Sequence, residues 1–272
     1  MRRRKMRAFS TTLGIVTALV VALPVFSEPT AREIMEEQKE RHDTETEVTA
    51  EIMLLVDKDG NREQRELRNY SKKVKEGETR FLVVFQQPAS VRGTALLTWD
   101  YEKRDNDQWM YLPAQKRMRR VAGSSKRGSF MGTDFTFEDL DPEELDNFDY
   151  RILRQEPVEG QECWVIEAVP SNSETERSSG YARRVLWVRK DIYFTVRIDF
   201  YNRRNVLIKT QTNHDLVNIR GRLWRCQKTL MNNLEKDHKT LLGVKSRRID
   251  ESIDSEVFTE RFILSERHLQ LN

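Results

Sequence analysis

Arg117, Arg119, Arg120 and Lys126 place four cations within one short run of the chain. A guanidinium fork matches carboxylate and phosphate oxygens in pairs, so such a run can recognise an anionic head group or acidic residues on a partner. Read as a strand, residues 116–121 (KRMRRV) put Lys116, Met118 and Arg120 on one face and Arg117, Arg119 and Val121 on the other. Both faces carry charge, and an unpaired buried charge is costly. Ion pairs inside the fold, to Asp134, Glu138 and Asp139, therefore compete with recognition as the role of these cations.

Other chemistry is poorly supplied. The chain has no G-x-S-x-G, S-x-x-K or H-E-x-x-H, and its histidines are His42, His214, His238 and His268. His238 stands beside Glu235 and Asp237 in what reads as a turn, the pattern of a solvated cluster and not of a metal site. Carboxylate pairs such as Glu138 with Asp139, or Glu143 with Glu144, are commonplace where 33% of residues are charged. No catalytic residue, metal or cofactor follows from these patterns, and a lipid hydrolase is the lesser alternative to a protein that is not an enzyme.

The cations belong to a longer stretch, residues 107–140. Residues 109–112 (WMYL) form an aromatic strand that Pro113 stops. Residues 123–129 have the Gly/Ser composition of a mobile loop, which ends in Phe130-Met131-Gly132. Residues 133–140 (TDFTFEDL) read as a short helix capped by Thr133 or Asp134.

In its order of Y-L-P, basic residues and S-F-M-G-T-D-F-T-F-E-D-L, this stretch resembles the LolA-like outer-membrane lipoprotein-sorting family, in particular the branch found beside exporters of the RND superfamily. The resemblance implies an incompletely closed antiparallel β-barrel with a lid, a lipid or lipoprotein cargo, and an RND-type inner-membrane partner. A long basic strand and the loop over residues 170–180 depart from the sorting chaperone itself.

The elements around the stretch agree. Residues 1–27 read as a cleaved secretory signal: a positively charged start, then an apolar run. Removing its five positive charges takes the formal charge from +3 to −2, which ends any bulk electrostatic case for nucleic acid. The expected location is the periplasm, as a monomer. Residues 28–272 form a single domain. Residues 28–41 read as a helix with a Thr30/Glu33 capping box. About ten or eleven antiparallel strands follow, with short helices after the centre and at residues 257–262. Strands are expected over residues 206–217 and 223–234, and residues 192–201 alternate so that only one face is greasy. Cys163 and Cys226 are expected as free thiols.

The combined expectation is a carrier that holds acyl chains in a hollow between sheet and lid. Trp99, Trp109, Tyr111, Leu112, Met118, Phe130, Met131, Phe135 and Phe137 are its expected cavity and gate residues, and residues 88–93 sit at its mouth. Arg117, Arg119, Arg120 and Lys126 contact a head group or partner. A transporter adaptor with a filled core is the other reading.

Overall fold

The computed structural model describes residues 28–102 and 104–271, so the signal segment expected over residues 1–27 lies outside it. Helix α1 (Ala31–Arg41) starts where the Glu33 amide donates to the Thr30 hydroxyl and the Thr30 amide donates to the Glu33 carboxylate at 2.7 Å. This is the expected capping box, and it satisfies donors that the first turn leaves free. Ala31, Ile34 and Met35 form the buried stripe.

Strands β1 (Thr46–Val56), β2 (Arg62–Lys75), β3 (Glu78–Gln87), β4 (Ala95–Tyr101), β5 (Asp107–Leu112) and β6 (Arg117–Val121) make one antiparallel meander. A second meander is built from β7 (Phe148–Val158), β8 (Gln161–Pro170), β9 (Arg183–Arg189), β10 (Phe194–Tyr201) and β11 (Leu207–His214), with the short helix α2 (Ser173–Ser178) between β8 and β9. After the small hairpin β12 (Val217–Arg220) and β13 (Leu223–Arg225), strands β14 (Lys228–Asn233) and β15 (His238–Ile249) join the two meanders. Among the described residues the main sheet has 13 strands, in the order β6-β5-β4-β3-β2-β1-β15-β14-β11-β10-β9-β8-β7. Its two edges, β6 and β7, are consecutive in the chain, and residues 122–147 run between them. The expected unclosed antiparallel barrel forms, with more strands than pattern counting gave.

Three differences have local causes. The strands expected at 206–217 and 223–234 each break in two. Asp215 turns left-handed at φ 53°, and the Gln227 amide donates to the His214 carbonyl at 3.1 Å. The β12–β13 hairpin thereby leaves the sheet for α1, where Arg222 pairs with Glu37 at 2.7 Å and Leu223 is buried. In β10, a bulge at Val196 turns the stripe over: Phe194 and Val196 pack beside Trp187, while Ile198 and Phe200 face the other way. Residues 133–140 form no helix. Instead Ser129 and Thr136 make a β-bridge, and Phe130 and Phe135 exchange a backbone bond at 2.8 Å.

Both faces of the sheet are apolar, not one. On the inner face a continuous layer runs from Phe85 and Leu96 through Leu242 and Ile198 to Trp164 and Ile166, where α1 lies. On the outer face Leu82, Val84, Leu97 and Tyr111 are covered by the C-terminal segment, a 3-10 turn (Ser255–Phe258), helix α3 (Glu260–Leu264) and a last turn (Arg267–Gln270). Phe258 and Ile263 are fully buried there, and the buried His268 donates from Nε2 to the Gly93 carbonyl, 2.9 Å away. Burial pushes the His268 imidazole below its ordinary value. Cys163 and Cys226 are free among the described residues.

Candidate functional site

The site is the segment between the sheet's two edges. Residues 122–147 lay their apolar side chains on the inner face: Phe130 stacks on Phe85 with ring centroids 5.5 Å apart and meets Phe137 edge-on at 5.6 Å. Met131 and Leu140 complete this cluster over Met53, Leu55, Leu67 and Leu96, and Phe135 fills the adjoining one with Tyr181, Phe200 and Met231. The sequence folds this way because Met131 and Gly132 both take left-handed φ, 50° and 75°, and reverse the chain immediately after Phe130. Arg65 Nη1 holds that turn through the Met131 carbonyl at 2.6 Å.

A buried polar lock fixes the second half of the segment. Thr240 donates to Asp134 Oδ2 at 2.8 Å and accepts from the Asp134 amide at 3.0 Å, while His238 Nδ1 lies 2.6 Å from the same carboxylate oxygen. Lys209 forms a salt bridge with Asp139, with side-chain exposures of only 5% and 2%. Tyr181 donates to Asp139 at 2.9 Å, and Lys209 also reaches the Asp134 carbonyl at 3.3 Å. His238 is thus not a solvated turn residue: it opens β15 and faces the segment. Lys209 was invisible to sequence reasoning, since a lysine inside an alternating strand gives no sign that a distant acid will face it.

At the seam itself lies a polar cleft of about 560 Å³, lined by Arg120, Lys126, Glu138, Asp141, Glu144 and Arg184 among others. Burial raises the Glu138 and Asp141 carboxyls above their ordinary values, although Gly180 and Ser179 bond the first and Lys126 pairs with the second. Burial, together with the adjacent Asp100 carboxyl, pushes Glu144 up to about 8. Between an ordinary 4.5 and that value the folded chain holds a proton that the unfolded chain has released, so stability falls as pH rises through this window. Melting temperature should decline from about pH 5 to about pH 8 in the native protein and level off above that, and Glu144→Gln should flatten the decline. An unchanged slope in the variant would remove Glu144 as its source.

The expected cavity residues divide between the two faces of the sheet. Phe130, Met131, Phe135 and Phe137 come together on the inner face. Trp99, Trp109, Tyr111 and Met118 lie on the outer face under the C-terminal segment, where Trp99 Nε1 donates to the Phe258 carbonyl at 2.9 Å and Tyr111 donates to Glu266 at 3.0 Å. Strand alternation separates Tyr111 from its neighbour Met110, which faces inward. Leu112 is half-buried at the end of β5. The loop over residues 88–93 touches both layers: Val91 is buried in the inner-face cluster with Phe85 and Phe130, while a side chain at Gly93 would strike Leu269 of the C-terminal cover at 2.7 Å. Of the basic residues, Arg120 pairs with Asp107 and Lys126 with Asp141. Arg117 and Arg119 are exposed and have no acidic partner among the described residues. No cluster of three or more metal-ligating side chains occurs among the described residues.

A family model described only as "uncharacterized protein" matches residues 77–265. A structure from Vibrio parahaemolyticus, described as an outer-membrane lipoprotein-sorting protein domain, is 29% identical with a TM-score of 0.80, over 86% of this chain and 98% of its own. A DUF1329 family protein from Desulfovibrio piger is 27% identical, also at 0.80, over 86% and 97%. A LolA superfamily protein from Nitrosomonas europaea shares the fold at 20% identity and a TM-score of 0.67, over 86% of this chain and 100% of its own. No curated protein matches the chain.

Proposed function

Because the chain belongs to the LolA-like outer-membrane lipoprotein-sorting family, we propose that it is a periplasmic carrier for the acyl chains of a lipid or lipoprotein, and that residues 122–147 occupy the acyl site when it is empty. The observation that carries this reading is the position of Phe130, Met131 and Phe137. They cover the apolar inner face, yet they belong to a connector that spans an open seam and not to a strand of the sheet. An acyl chain entering at the seam replaces these contacts with its own, and burial supplies roughly 0.8 kcal/mol per CH₂ to drive the exchange. Binding and release then share one barrier, the lifting of the segment.

Export through an RND-superfamily inner-membrane transporter is the role we propose for the loaded carrier. A second reading is favoured by one observation: the inner face is already filled, which suits a transporter adaptor that binds no lipid. Native mass spectrometry of protein released gently from the periplasm, with organic extraction, separates the two. A defined lipid or acylated peptide at about one per chain supports the carrier. A clean apo mass, with no uptake of an added fluorescent fatty acid, supports the adaptor and sinks the carrier.

A further inference from the structure

Strand β6 ends the sheet, and among the described residues nothing bonds to its outer edge: no backbone or side-chain hydrogen bond outside the β5 pairing reaches the main chain of Arg117–Val121. An open edge presents alternate amides and carbonyls to whatever extended chain approaches it. The other edge, β7, is built differently. It carries both signs of charge, its arginines are already paired, Arg151 with Glu167 of β8 at 2.8 Å and Arg154 with Glu156 at 2.7 Å, and Pro157 lacks an amide to offer. On β6 every charge is positive. Arg117 and Arg119 share the face that looks inward beside Met110, exposed and without an acidic partner, while Arg120 on the opposite face is 62% exposed despite its pairing with Asp107.

The geometry points to β6 as a docking edge for an extended acidic segment of a partner protein, which adds a fourteenth strand with its carboxylates between Arg117 and Arg119. The charge argues against a second copy of this chain: antiparallel β6 on β6 sets arginine against arginine, and like charges opposite one another are destabilising. It favours a strand whose inward positions are Asp or Glu, since a guanidinium beside a paired backbone can take a carboxylate through two bonds. The proposal does not depend on the carrier reading. A lipid carrier and an adaptor both need a partner.

The probe is a fluorescein-labelled peptide of about six residues, glutamate alternating with valine or threonine, titrated by anisotropy against the whole mature protein. Binding is expected at low salt and should weaken as salt screens the charges. The double variant Arg117→Glu/Arg119→Glu should weaken it at least about tenfold while melting like the native protein, because both side chains are exposed. The same peptide methylated on alternate backbone nitrogens should also bind at least about tenfold more weakly, because it keeps the charge and loses the ladder. Equal binding of the methylated peptide would overturn strand addition. Absence of binding at low salt would leave the arginines as a shield against edge pairing, and binding to phosphatidylglycerol vesicles but not to peptide would assign them to a lipid surface; either result overturns the proposal.

Discussion

Lys209→Met should cost about 3–5 kcal/mol, because it leaves the Asp139 carboxylate buried with its counter-charge removed. In a chain of this size that is a fall of roughly 10 °C in melting temperature. The ammonium also lies 4.9 Å from the centre of the Tyr181 ring and 4.8 Å from that of Phe200, contacts that a thioether replaces only in part. The double variant Lys209→Met/Asp139→Asn should recover much of the loss, since it removes both buried charges while the side-chain carbonyl still accepts a bond from Tyr181 or the Thr136 amide. A thermal melt of the four members of the cycle decides it. If Lys209→Met alone melted within about 1 °C of the native protein, the lock would not be what holds residues 134–141 to β11 and β15.

Phe130→Ala should move stability and ligand affinity in opposite directions. The ring is 1% exposed and packed between Phe85 and Phe137, so truncation costs about 3–5 kcal/mol of closed-state contacts. If the segment competes with cargo for the inner face, every 1.4 kcal/mol taken from the closed form strengthens acyl binding about tenfold. Uptake of a fluorescent fatty acid should therefore tighten at least about tenfold, even as the melting temperature falls. A core residue with no part in the exchange gives the other pattern, lower stability with unchanged or weaker uptake. Leu82 is a suitable control, since it is fully buried but faces the C-terminal cover.

Much of this architecture was legible in the residues. The capping box at Thr30 and Glu33 is a local signal, and it survives because its partners lie three residues apart. The mixed character of residues 107–140 marked the segment that spans the seam. What pattern reading missed depends on distant partners or on one extra residue. Alternation in β5 shows that Tyr111 and Met110 face opposite ways but not which face is covered by what, and so aromatic residues from both faces were grouped as one cavity. The bulge at Val196 carries no signal of its own, yet it moves Ile198 and Phe200 to the inner face. Asp134 looked like a helix cap because Thr and Asp ahead of aromatic and acidic residues suit that role. Its carboxylate instead meets Thr240 and His238, 106 and 104 residues away.

In the proposed exchange, residues 122–147 and an acyl chain take turns on one apolar surface. Hydrogen exchange of the whole mature protein, with and without a saturating long-chain fatty acid, reads this directly. Faster exchange is expected at the amides of Phe130, Thr133, Asp134 and Phe137 when the fatty acid is bound, with α1 and the C-terminal turns unchanged. Bound fatty acid that leaves those four amides as protected as before, or more so, would contradict it.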